Sequence, residues 1–280
     1  MIFDHYLELM GLIVRKNEIM AAIVLAVGNQ KGGVGKTTTT VNLGFALSKK
    51  GIRTLIVDMD PQANATSSLG IEKKTGGGVY EPLLGGNDLS SRVLSSGRPN
   101  LWIVPSELDL AAAELELSSQ SNYLTKLRSS IDRLKTAYGL KCIIIDCPPT
   151  LGLLSMNSLC AADFLLVTLQ SEYLALEGLG QIVGVIDQLK SAGANPGLSL
   201  GGILMTMYDN RTRLSYEVWQ EVSQHYPRHV FRTAIPRTVR LSEAPSFGKT
   251  IFEYDPSSLG ARAYKSFAEE VEVRFLRTLN

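Results

Sequence analysis

The residues of this chain best suited to chemistry lie in AVGNQKGGVGKTTTT, positions 26 to 40, between an apolar run and a stretch of helical character. Gly32, Gly33 and Gly35 carry no β-carbon, so the backbone there can close around a polyphosphate and offer it N–H groups. Lys36 would set an ammonium on the β and γ phosphates and Thr37 a hydroxyl on magnesium, while the following helix would turn its positive end to the anion. The pattern reads as a nucleoside triphosphate site.

Two further segments supply carboxylates. TLIVDMDPQANATSSLG, residues 54 to 70, ends an apolar run in Asp58 and Asp60. Side chains two apart on a strand share a face, so both are expected toward the phosphate end of a sheet. In KCIIIDCPPTLG, Asp146 closes a second apolar run, the position from which a carboxylate holds magnesium through water. Any one of these acids taken singly reads rather as a helix cap or turn former. Their coincidence with the glycine loop favours the site, because ligands of open α/β sheets collect at the carboxyl ends of strands.

Apolar runs at Ile23 to Val27, Thr54 to Val57, Leu101 to Val104, Cys142 to Ile145, Phe164 to Leu169, Leu200 to Met205 and Val230 to Ile235 read as strands. Several are apolar on both faces, as parallel strands covered on each side are. Helix candidates lie at Lys36 to Lys50, Asn122 to Tyr138, Gly178 to Ala192, Ser215 to His225 and Ser257 to Leu279. The alternation predicts an α/β fold with a single doubly wound, mostly parallel sheet and helices on both faces. Seven strands use up the length and leave no room for a second domain. Residues 70 to 99 read as loops around short helices, and the stretch holding Pro236, Pro245 and Pro256 as a long loop with at most one helical turn. Residues 1–19 are expected as an N-terminal extension and 20–280 as the domain, with Met20 standing as an alternative start to Met1.

With 45% hydrophobic and 20% charged residues, the composition excludes a disordered chain. Lys plus Arg number 28 against 27 for Asp plus Glu, a formal charge of +1, which excludes a constitutively basic nucleic-acid binder. No run reaches the roughly 18 apolar residues of a spanning helix. Asp4, His5 and Glu8 precede any positive charge, the reverse of a secretory signal. Cys142, Cys147 and Cys160 are too few for a disulfide framework and match no zinc spacing, so they are expected as core thiols in a reducing compartment. The cytoplasm is the expected location.

The general phosphate-loop template has glycine where this chain has Gln30, and a second lysine, Lys31, precedes the paired glycines. That variant, lysine-Gly-Gly-x-Gly-Lys-Thr, resembles the deviant Walker A family of dimeric ATPases. The blocks VDMDPQANATSSLG, IIIDCPPTLGLLSMNSL, LQSEYLALEGL, LMTMYDNRTRLS and AIPRTVRLSEAPSFGKTI extend the resemblance from residue 20 to about 272. By these the chain is identified as a member of the ParA/Soj family of chromosome or plasmid partitioning ATPases.

The resemblance implies ATP and Mg2+ as cofactors and hydrolysis to ADP and phosphate. It implies nucleotide contacts from Gln30, Lys31, Gly32, Gly33, Val34, Gly35, Lys36, Thr37 and Thr38, with Met207 and Pro236 flanking the adenine. Met207 is equally read as the end of a core strand. Lys31, Lys36 and Asp60 become the catalytic set, Lys31 by reaching across a dimer interface to the partner's nucleotide, and Asp60 by positioning the attacking water. Thr37, Asp60 and Asp146 become the magnesium set, and Asp58 a structural or magnesium-shell acid. A carboxylate is a weak base for water, so its contribution would be orientation and charge stabilisation, with slow turnover. Further implications are a homodimer with ATP at the interface, non-specific binding of double-stranded DNA through Arg211 and Arg240, a ParB/Spo0J-like partner, and a place on the nucleoid.

Ordinary surface arginine is the alternative for the DNA pair. Between residues 205 and 250, seven positives stand against four negatives, a local balance of +3, which matters only if one face collects them. Two rival functions remain at this point. A MinD-like membrane switch would use a basic amphipathic C-terminal helix, but Glu269, Glu270 and Glu272 interrupt it, and Phe267, Val271 and Phe275 or Leu276 are expected inward. A partition-like protein that positions a non-DNA cargo would share every residue discussed.

Overall fold

Strand β1 (Ile23–Gly28), β2 (Thr54–Asp58) and β5 (Cys142–Asp146) are built from IVLAVG, TLIVD and CIIID, and nearly every residue in them is buried. Successive side chains of a strand point to opposite faces, so a run buried throughout needs cover on both. The core divides accordingly. Val24, Ala26, Leu55, Val57, Ile143 and Ile145 enter one apolar cluster, and Leu25, Val27, Ile56, Cys142 and Ile144 the other.

The computed structural model describes residues 22–277 apart from Asn87 and Leu174; the expected extension 1–19 and the alternative start at Met20 lie outside the described residues. The remaining strands are β3 (Leu94–Arg98), β4 (Leu101–Val104), β6 (Phe164–Gln170), β7 (Ser199–Tyr208) and β8 (Val230–Pro236). They form one sheet in the order β3-β4-β2-β5-β1-β6-β7-β8. All pairings are parallel except that of β3 with β4. Helices α1 (Lys36–Lys49), α2 (Asn64–Ser68), α9 (Val239–Glu243), α10 (Ile251–Tyr254) and α11 (Leu259–Val271) cover the face of the second cluster. Helices α3 (Tyr80–Leu84), α4 (Leu110–Ser118), α5 (Lys126–Ala137), α6 (Leu153–Ala161), α7 (Ala175–Ser191) and α8 (Arg213–His225) cover the other. The expected doubly wound sheet is therefore present, with one strand more than the apolar runs indicated.

That strand is β3, LSSGR, an edge strand with mostly exposed residues and no apolar run to announce it. Helix α6, LLSMNSLCA, is also unannounced: seven of its nine residues are buried, so it carries no polar face from which a helical period could be read. The proline-bearing stretch after β8 is more helical than expected, holding α9, a 3-10 turn over Ala244–Phe247 and α10. The last expected helix changes character at Glu272, where α11 gives way to a π-helical turn, Glu272–Leu276. Phe267, Val271, Phe275 and Leu276 are all buried in the second cluster, as the sequence pattern required.

Candidate functional site

The sheet sets the site at the carboxyl end of β1, whose neighbours β5 and β6 send their chains on into α6 and α7. This is the crevice in which doubly wound sheets bind ligands. The loop leaving β1 is tied at three points. Asn29 Nδ2 donates to the Thr168 carbonyl on β6 at 2.7 Å, and Asn29 Oδ1 accepts the Lys31 N–H at 3.0 Å. On the other side, Thr206 Oγ1 of β7 donates to the Val34 carbonyl at 2.9 Å. Gly33 and Gly35 hold φ of 74° and 84°, a region that a β-carbon strongly disfavours. Gly35 caps α1, and no side chain satisfies the first N–H groups of that helix, which leaves them for an anion.

Lys36 is 6% exposed, and its Nζ donates back to the Lys31 carbonyl at 2.8 Å. Burial lowers its pKa, opposed by the charges of Asp146, Cys147 and Asp60. Lys36 and Thr37 line a cavity of about 290 Å3 with Gly32, Gly33, Asp60 and Met207. The ammonium, the hydroxyl, the glycine backbone and one carboxylate thus converge on one space.

Asp58 and Asp146 face each other in the β2–β5 register. Both are fully buried, and desolvation pushes Asp58 up to about 6 and Asp146 well above the usual carboxylate range, the Asp58 charge adding to the rise at Asp146. Asp146 Oδ1 accepts from Thr40 Oγ1 at 3.0 Å, while Oδ2 is buried without a hydrogen-bond partner. An orphaned carboxylate oxygen is costly unless a cation or donor completes it. Together with the Thr37 hydroxyl it suits a hard divalent cation with oxygen ligands. Among the described residues no group of three or more His, Cys, Asp or Glu is arranged to hold a metal, so such a cation would draw its remaining ligands from phosphate and water.

Asp58 and Asp60 do not share a direction. Strand β2 ends at Asp58, so the two-residue alternation does not extend to Asp60. Asp58 Oδ2 accepts from the Thr66 N–H at 2.9 Å and from Thr66 Oγ1 at 2.7 Å, and Oδ1 accepts the Asp60 N–H at 3.2 Å. It braces the following turn from inside, whereas Asp60 lines the cavity.

A second cavity, about 450 Å3, shares Gly35, Thr38 and Met207 with the first and is closed by Pro236, Leu241 and Tyr264. Met207 ends near the carboxyl edge of β7 with φ 49°, a left-handed conformation unusual for a long side chain. Tyr264 of α11 meets Thr39 of α1 at 3.1 Å. Gln30 borders an apolar recess behind the loop, and Val34 is buried. Lys31 is exposed and pairs with Glu172.

Arg211 follows β7 and is held by Asp209 through two hydrogen bonds, 2.9 and 2.7 Å. Arg240, in α9, pairs with Glu243 at 3.1 Å and Asp255 at 3.6 Å. The Arg237 N–H donates to the Tyr208 carbonyl at 3.2 Å and so brings the two segments side by side. The seven positives do not form one patch: Arg228 precedes β8, at the opposite end of the sheet from Arg240. Sequence reasoning passed over Asn29, Thr40, Thr66 and Thr206. Of these only Thr40 carried a signal, standing one helical turn after Lys36 in the threonine run.

Residues 22–200 match a family model described as an AAA domain. The chain is 46% identical over 252 residues to the chromosome partitioning protein ParA of Myxococcus xanthus, covering 90% of this chain and 88% of that one. It is likewise 46% identical over 249 residues to the sporulation initiation inhibitor protein Soj of Bacillus subtilis, covering 89% and 97%. Its fold is similar to that of a cobyrinic acid a,c-diamide synthase from Mycobacterium smegmatis, solved with bound ADP and magnesium, at TM-score 0.79 and 37% identity over 92% of this chain and 97% of that one. The phosphate loop at the switch point of a doubly wound sheet defines a P-loop nucleotide hydrolase, and within that class the chain belongs to the ParA/Soj family of chromosome-partitioning ATPases. Among the described residues no helix is long and apolar enough to cross a membrane.

The free, buried cysteines accord with core thiols. Burial pushes Cys142 and Cys147 up to about 12.

Proposed function

We propose that this chain is an ATP-driven dimerising switch that binds duplex DNA without sequence preference in its ATP state and partitions chromosome or plasmid DNA with a ParB-like partner. The observation that carries this reading is that both arginines follow closely on residues lining the cavity beside the phosphate loop. Arg211 stands four residues beyond Met207 and Arg240 four beyond Pro236, and both Met207 and Pro236 line the cavity beside the phosphate loop. A base and ribose seated there would fix the segments that present the arginines.

In this reading the backbone from Gly32 to Thr38 and the Lys36 ammonium hold the phosphates, while Met207 and Pro236 flank the base. Thr37, Asp60 and Asp146 would hold Mg2+, which supplies charge neutralisation on the phosphates when bound. Asp60 orients the attacking water, and Lys31 reaches the partner subunit's nucleotide. Positioning and electrostatics do most of the work in phosphoryl transfer, and with only a carboxylate to position water, turnover is slow. The protein acts in the cytoplasm, on the nucleoid, with residues 20–280 as the working domain.

The apolar side of α11 and the π turn carrying Phe267, Val271, Phe275 and Leu276 is buried in the core, and among the described residues only Leu259 and Val273 of these two elements are exposed large apolar side chains. A gel-shift series with random duplex DNA at low salt tests the reading. We expect retention with ATP and Mg2+ and none with ADP; equal retention in both would remove the switch.

A further inference from the structure

Lys31 is engaged within its own chain. Its ammonium pairs with Glu172, and its carbonyl accepts the Lys36 Nζ at 2.8 Å. The backbone on both sides of the pair is fixed. Asn29 binds the Lys31 N–H and the Thr168 carbonyl together, so the loop is anchored to the strand that leads into Glu172. Glu172 in turn donates its N–H to the Gln170 carbonyl at 2.9 Å and accepts the Ala175 N–H at 3.0 Å, in the turn between β6 and α7. Next to it Tyr173 is 90% exposed. The pair is therefore a built contact at the rim of the nucleotide crevice, between two anchored backbones.

We propose that Glu172 is a positioning residue: the intrachain counter-ion of Lys31, which must be exchanged for the partner's triphosphate before two subunits can close. This rests on the reading of Lys31 as the residue that reaches across the dimer. One ammonium cannot sit on Glu172 and on a phosphate of the facing subunit at once, so the carboxylate competes with the nucleotide for it. A triphosphate with its terminal phosphoryl group offers more negative charge than a single carboxylate, and a diphosphate offers less of it at the interface. Glu172 thereby raises the threshold for pairing with either nucleotide, a threshold that the weaker diphosphate contact is less able to clear. An equilibrium of this kind shifts only by the difference in affinity between the two states.

The test is sedimentation velocity of wild type, Glu172→Gln, Lys31→Ala and the double variant, across a titration of β,γ-imido-ATP and of ADP with Mg2+. Glu172→Gln keeps size and hydrogen-bonding capacity on an exposed side chain. An exposed ion pair is worth a factor of about two to five in an equilibrium, so Glu172→Gln is expected to lower the half-saturating analogue concentration for dimerisation about two- to fivefold. With ADP it is expected to raise the dimerisation propensity by the same factor. In the Lys31→Ala background the same substitution should change nothing. An unchanged Glu172→Gln titration, or an equal shift with Lys31 absent, overturns the proposal while leaving ATP-driven dimerisation intact. A wild type that stays monomeric at saturating analogue overturns both this proposal and the function on which it rests.

Discussion

Lys31 and Lys36 stand five residues apart in one loop under opposite conditions, and the difference shows how a residue's setting decides its use. Lys36 is buried, its charge made costly by desolvation, and it waits on a carbonyl of its own loop; any phosphate that replaces that carbonyl restores a full counter-charge. Lys31 is exposed and already paired. The arginines read as DNA contacts resemble Lys31 in this. Arg211 holds Asp209 down to about 2, its side-chain hydrogen bonds being the main cause and the Arg211 N–H the next. A carboxylate lowered in the folded state gives a contribution present above its ordinary value and lost as pH falls through the lowered one. The Asp209 contribution is therefore lost between about 4 and about 2. A carboxyl-carbon NMR titration of the free protein should place Asp209 near that lower value. Arg211→Ala should return it to about 3.9, and saturating DNA in the ATP state should move it the same way, since phosphates would take the guanidinium. An Asp209 midpoint that ignores both would disconnect the pair from DNA.

At the scale of elements, the junction after β2 depends on one hydroxyl. Thr66 Oγ1 of α2 donates to the buried Asp58 at 2.7 Å and accepts the Ser106 N–H at 3.0 Å, joining the ends of β2 and β4 through a short helix. Thr66→Val keeps the shape but leaves a buried carboxyl and a backbone N–H short of a partner, a loss of about 3 kcal/mol. Urea denaturation of the nucleotide-free protein should show this as a lowered midpoint with an unchanged slope; a loss below about 0.5 kcal/mol would mean that the junction relaxes. None of this was legible in the sequence. A strand buried on both faces announces itself as an apolar run, which is why β1, β2, β5 and the phosphate loop between β1 and α1 could be placed in advance. β3 could not, because an exposed edge needs no apolar residues, and α6 could not, because it has no polar face to give a period. Within the candidate site, local spacing singled out Gly33, Gly35, Lys36 and Asp146, which the structure places at the carboxyl ends of β1 and β5. It misdirected Asp58, whose orientation is set by Thr66 eight residues on, and it missed Glu172, which meets Lys31 across 141 residues.

For the whole molecule, near neutrality becomes a condition of the proposed switch. A chain with formal charge +1 offers no standing attraction to a polyanion, and both candidate arginines are neutralised by acids of their own chain. The proposed binding must then come from assembling several weak contacts at once, and the proposed dimer would supply twice the number on one surface. Each phosphate neutralised by a cationic side chain releases condensed counterions, so the slope of log K against log salt counts the contacts at about −0.9 apiece. Arg211 and Arg240 from two subunits would contribute about four contacts, or roughly −3.6 of the slope. Arg240→Ala should therefore flatten the slope by about 1.8 while leaving ATP hydrolysis without DNA in place. Asp60→Ala, which would remove the group proposed to orient water but not the loop proposed to hold ATP, should retain the full slope and persist on DNA after free ATP is withdrawn. Fluorescence anisotropy with labelled duplex across a salt series reads both. A slope that Arg240→Ala leaves unaltered would place the DNA surface elsewhere on the molecule. Release of Asp60→Ala as fast as wild type would mean that DNA is discharged without hydrolysis.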